Sequence, residues 1–248
     1  MPYLGIGLHV IVAVLFAIHA VRNGQPMYWL LILFMFPLLG SVVYGVAVWL
    51  PEFRHSRSAR RATSAVRRLI DPDRELREAT DAHAQAATVQ NQLRLADALF
   101  AKGRALEALP LYRSASSGLY ANDPDIQARL AHALLEAGEA TAARELLDRL
   151  IAANPDYRSP QAHLTYARAV AAQGDHAKAR EEFDVLVNYF PGLEASARYA
   201  QCLRDWGEAE AGAALVEKAL ARARRLPAHS RDLDREWIAR LQKLSRVA

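Results

Sequence analysis

The chain has 248 residues, 52% of them hydrophobic, and a formal charge of +4 that is unevenly spread. Residues 1–70 carry +6 and residues 71–248 carry −2, so the basic balance belongs to a short segment and argues against a nucleic-acid-binding surface on the larger part. The single cysteine, Cys202, excludes an intrachain disulfide framework or a cysteine-based zinc site, and its place beside Leu203 reads as a buried structural thiol.

Residues 4–21 form an apolar run of 18 and residues 28–50 one of 23. Each is long enough to cross a hydrocarbon core of about 30 Å as a helix. With the polar turn Arg22-Asn23-Gly24-Gln25-Pro26 between them, they predict a transmembrane hairpin over residues 1–50. A cleaved signal peptide is the rival for the first run, helped by Ala17 and Ala20, but no basic segment precedes it and a second apolar run follows at once. Trp29 and Trp49 bracket the second run as interface anchors, and Pro37 predicts a kink in it. Gly40, Ser41 and Gly45 offer small surfaces for close helix packing, while His9 and His19 read as packing or interfacial residues. The stretch Trp29-Leu30-Leu31-Ile32-Leu33, with Phe36-Pro37-Leu38-Leu39-Gly40 and Tyr44, resembles the N-terminal hairpin of phospholipase D-type cardiolipin synthases and of small bacterial membrane regulators. The resemblance implies a membrane module and not chemistry. The catalytic motif of that family sets a Lys two residues after a His and an Asp downstream, and His176-Ala177-Lys178 lacks the Asp.

Residues 51–88 read as a basic juxtamembrane segment and a linker helix. Arg54, Arg57, Arg60, Arg61, Arg67 and Arg68 follow the second run closely, so the positive-inside rule puts both termini in the cytoplasm and the Arg22 turn outside. The same arginines are candidate contacts to anionic lipid headgroups. Asp71-Pro72-Asp73 predicts a helix start, with Asp71 as N-cap and Pro72 at the first helical position.

From residue 89 to 226 one helix-turn-helix pattern recurs four times. Its turn glycines Gly103, Gly138, Gly174 and Gly207 are 35, 36 and 33 residues apart. Seven residues before each comes a small residue (Ala96, Ala131, Ala167, Ala200), and five after comes another (Ala108, Ala143, Ala179, Gly212). Leu99, Leu134, Val170 and Leu203 precede the turn by four, and Tyr112, Leu147, Phe183 and Val216 follow it by nine. Small sites let paired helices approach and large ones fill the space between them. Pro155 and Pro191 close the second and third units. This pattern resembles the tetratricopeptide repeat family, which implies an all-α solenoid. Residues 227–248 predict a capping helix, with Leu233, Trp237, Leu241 and Leu244 on one face.

No phosphate-binding loop, nucleophile elbow or metal-ligand spacing emerges, and His132, His163 and His176 are not placed as ligands, so neither enzyme activity nor a cofactor is expected. The first helix of each unit lines the concave groove of such a stack. That puts Arg94, Asp97, His132, Glu136, Arg168, Arg198, Gln201 and Arg204 inward, where arginines would clamp a carboxylate or an acidic segment. Some family members hold a chaperone's terminal carboxylate with Lys and Asn. The matching positions here are Leu93, Asp97, Arg129, Gln161 and Thr165, which do not reproduce that clamp. The preference for Arg over Lys, 27 to 4, and the abundant alanine fit a GC-rich bacterial genome. The expectation is a scaffold at the bacterial inner membrane whose cytosolic groove takes a protein or peptide partner. The alternative is an accessory subunit of a membrane enzyme or transporter that acts through the hairpin.

Overall fold

The computed structural model describes residues 3–49 and 71–246, with side chains from 12 to 48 and from 71 to 246. Two compact units divide the chain, Met1–Arg74 and Glu75–Ala248.

In the first unit α1 (Tyr3–Arg22) is followed by α2 (Tyr28–Met35), α3 (Pro37–Tyr44) and a π-helical turn, Gly45–Trp49. The second apolar run is therefore not one spanning helix. Phe36 leaves helical geometry (φ −135°, ψ 72°) just before Pro37, whose ring clashes with a preceding turn and which has no N–H to continue the ladder. The chain folds back there, and α3 packs along α2. A Cβ on Gly40 would stand 2.7 Å from the Ile32 carbonyl oxygen, so the missing side chain is what allows the close crossing. Tyr44 and Trp29, fifteen positions apart in sequence, meet edge to face with ring centroids 5.2 Å apart. Tyr44 is fully buried, with Leu33 and Ala20 beside it. Trp29 is thus part of a small core and not an exposed interface anchor. Among the described residues no helix is long and apolar enough to cross a membrane. The expectation that the second run crosses as one helix is corrected accordingly: a proline kink in sequence is a reversal in space. His19 packs as expected, its Nδ1 3.0 Å from the Tyr44 hydroxyl, while Asn23 Nδ2 donates to its Nε2 at 2.8 Å. The expectations on His9, Trp49 and the six arginines between 54 and 68 fall outside the described side chains.

The second unit is an all-helical, tetratricopeptide-like solenoid. A leading helix, α4 (Arg74–Gln85), starts two residues later than the Asp-Pro signal predicts and stops before Thr88. Four hairpins follow: α5 (Val89–Ala101) with α6 (Ala105–Ala115), α7 (Pro124–Glu136) with α8 (Ala140–Ala153), α9 (Pro160–Ala172) with α10 (His176–Tyr189), and α11 (Glu194–Asp205) with α12 (Ala209–Arg225). Thr88, Asp123 and Ser159 cap three of the first helices by accepting from backbone N–H groups. The four turn glycines all have φ between 72° and 87°, the left-handed region that favours glycine. After Gly138, the Glu139 N–H reaches back to the Leu134 carbonyl at 2.8 Å, which satisfies a helix-end acceptor.

The small and large positions sit where their spacing requires. Ala96, Ala131, Ala167, Ala108, Ala143 and Ala179 are fully buried, as is Phe183. A Cβ on Gly212 would come within 3.3 Å of the Ala200 carbonyl oxygen, so an added methyl there would have to displace a neighbour slightly. The predicted cap is two helices, α13 (Ala228–Leu233) and α14 (Arg235–Ser245). Leu241 and Leu244 enter the last core cluster with Leu193 and Val216. Leu233, expected on the same face, is 73% exposed, because Asp234 breaks the helix just after it. Asp234 instead accepts from the Leu193 N–H at 3.1 Å, holding the turn before α11 against the start of α14.

Candidate functional site

The first helices of the four hairpins carry every charged residue that the sequence aims at the groove, and the structure sorts these residues into two groups. At the N-terminal end the charges are consumed by neighbours. Arg94 donates from Nε to Glu75 at 2.8 Å and reaches Glu78 at 3.3 Å, fastening α4 to α5. Asp97 accepts from the Tyr112 hydroxyl at 2.6 Å and from Arg129 Nη1 at 2.5 Å, which ties the first hairpin to the second. Together, burial and this carboxylate raise the Tyr112 phenol well above its ordinary range. In the middle, Arg168 Nη1 donates to Glu136 at 2.7 Å across the second and third hairpins. His132 packs its ring on Phe100 with centroids 4.7 Å apart. Its Nε2 stands 3.6 Å from Glu136, long for a hydrogen bond, so Arg168 is the closer partner. His132 and Arg168 together hold the Glu136 carboxyl down to about 2.

The C-terminal end is different. Arg168, Arg198, Gln201 and Arg204 converge on one cavity of about 700 Å³, closed on its far side by Trp237, Arg240 and Lys243 of α14. Two guanidinium groups stand over the Trp237 ring, with Arg198 Cζ 5.0 Å and Arg240 Cζ 4.8 Å from its centroid. Such stacking keeps planar cations in place. Arg198 also touches Glu194 at 3.3 Å, and Arg240 touches Glu236 at 2.8 Å. Burial, reinforced by the nearby Arg168 charge, pushes the Arg198 guanidinium below its ordinary range. Arg204 and Lys243 line the cavity with no acidic partner among the described residues. Asp205 is the acidic group in the wall, and it accepts from Gln201 Nε2 at 2.7 Å. The cavity therefore holds more cationic than anionic groups and has an aromatic floor, a combination suited to a carboxylate or a run of acidic side chains.

The helix of Trp237, Arg240 and Lys243 was predicted only as a lid, so its part in the wall is the feature that spacing from the turn glycines misses. Glu139, Asp175 and Glu208 form a second overlooked series. Each immediately follows a turn glycine and meets an arginine of the preceding hairpin: Glu139 with Arg113 at 2.8 Å, Asp175 with Arg144 at 3.7 Å, and Glu208 with Arg180. An acid after the glycine is the legible signal, and its role is to join neighbouring hairpins. Cys202 borders the cavity half-buried, and burial pushes its thiol up to about 11, as suits a packing residue. The other two histidines of the hairpins, His163 and His176, are engaged elsewhere. His163 contacts Tyr189 and Glu182, and His176 stacks on Trp206.

A family model described as tetratricopeptide repeat matches residues 99–159, which spans part of the first hairpin and all of the second. The crystal structure of TTC0263, a thermophilic TPR protein in Thermus thermophilus, is similar at 22% identity. The similarity covers 62% of this chain and 100% of that one, with a TM-score of 0.38. No curated protein matches the chain.

Proposed function

We propose that this protein is a scaffold whose concave groove binds an acidic segment of a protein partner, and that its first unit holds the assembly at a membrane. The observation that carries the groove reading is the cationic cavity at its C-terminal end, where Arg204 and Lys243 stand beside the Arg198–Trp237–Arg240 stack. Charges spent on neighbouring helices are poorly placed to recruit a ligand, which turns attention from Arg94 and Asp97 to this end. Membrane attachment is supported by the first unit's exposed apolar side chains, among them Phe34, Leu31 and Met35, and by the arginines at 54–68. A bacterial inner membrane with the repeats on its cytoplasmic side remains the reading of the arginine bias.

Affinity capture from membrane extracts tests the groove. The full chain is compared with one carrying Arg204→Glu and Lys243→Glu, both outside the helical core. A partner held by the natural chain through an acidic segment and lost on charge reversal supports the reading. A partner retained equally by both overturns it and points to the first unit as the contact surface, as for an accessory subunit.

A further inference from the structure

The first unit has two chemically distinct ends. At one, His19, Arg22, Asn23 and the Tyr44 hydroxyl gather, linked by the His19–Tyr44 and Asn23–His19 contacts. At the other, the reversal between α2 and α3 presents Phe34 (87% exposed), Met35 (69%), Phe36, Leu38 and Leu39 to the surroundings. No charged residue occurs between Arg22 and Glu52. Each arm of the reversal has eight residues, so it is about 12 Å long at 1.5 Å per residue. A hydrocarbon core of about 30 Å offers about 15 Å per leaflet. Ser41, on the inner side of the arm, donates to the Pro37 carbonyl at 2.5 Å, and the Phe36 and Gly40 N–H groups are held by Ile32 and Phe36 carbonyls. Such internal pairing is what hydrocarbon demands of a backbone that changes direction within it.

We propose that the α2–α3 reversal dips into one leaflet of a lipid bilayer, tip first, and returns to the side it came from, with Arg22 and Asn23 at headgroup level. This rests on the membrane attachment proposed above and specifies its geometry. The occupant is lipid chain and not a protein surface, because the exposed side chains surround the tip without polar interruption and a run of arginines suited to anionic headgroups follows in sequence.

The test uses the full chain with Cys202→Ala, reconstituted in vesicles of phosphatidylethanolamine and phosphatidylglycerol, with Met35→Cys or Asn23→Cys as a single label site. The expected result has two parts. A nitrobenzoxadiazole label at Met35→Cys shifts to the blue and is quenched by chain-nitroxide lipid. Asn23→Cys reacts with an impermeant maleimide on the same face from which protease removes the repeats. Labelling of Asn23→Cys only from the opposite face would mean a crossing and overturn the proposal. So would a Met35→Cys site open to the impermeant reagent in vesicle-bound protein, or a blue shift without vesicles at dimer mass, which would make a second copy the occupant. Phe34→Asp with Leu38→Asp is expected to lower vesicle partitioning at least tenfold while leaving groove binding unchanged. Failure here is thereby separable from failure of the groove reading.

Discussion

At the scale of single residues, the fold depends on where side chains are missing as much as on where they are present. Gly138 has φ 87° with open space around it, so Gly138→Ala meets only backbone strain and is expected to cost about 1–2 kcal/mol. Urea denaturation of the two proteins measures this directly. Glu136 supplies a pH-dependent contribution. Its folded pKa, about 2, lies below the ordinary value of roughly 4.3 for a free glutamate. The stabilisation is therefore complete above about pH 5 and fades as pH falls toward 2. With a third of the side chain exposed to screening solvent, Glu136→Gln is expected to lose about 1 kcal/mol at pH 7 and almost nothing at pH 2. Denaturation midpoints across that range give the profile, and a pH-independent difference would contradict it. The small and large core positions were legible because period and volume are properties of sequence. The Asp97–Arg129 and Glu136–Arg168 pairs were not, because they join residues of adjacent hairpins whose relative rotation depends on the packing itself.

At the scale of elements, α14 closes the solenoid core and also walls the cavity. Leu241 is fully buried against the last hairpin, so Leu241→Ala is expected to destabilise by about 2–4 kcal/mol, as buried Leu truncations do. Asp234→Ala removes the acceptor for the Leu193 N–H and is expected to cost about 1 kcal/mol. It should raise hydrogen exchange selectively in the turn before α11 and in α14. Exchange that rises uniformly across all four hairpins would show that Asp234 does not pin this end. Apolar spacing made Leu241 and Leu244 visible, but the break at Asp234 also detaches Leu233, which hydrophobic periodicity alone cannot foresee. The same lesson holds in the first unit. Twenty-three apolar residues satisfy a length criterion for crossing a membrane, yet Pro37 and Gly40 together permit a reversal that length does not register.

At the scale of the whole molecule, the proposed function assigns attachment to the apolar unit with its reversed helix and recognition to the solenoid with its cationic cavity. The direct measurement of recognition is an anisotropy titration of a fluorescent hexaglutamate peptide, with hexalysine as control. It compares the full chain in detergent with the Arg204→Glu, Lys243→Glu variant. Saturable binding of hexaglutamate alone is predicted, weakened by added salt and reduced on the order of tenfold or more by the double reversal. Equal affinity of the natural chain and the variant, or tighter binding of hexalysine, would contradict an anionic partner in this groove.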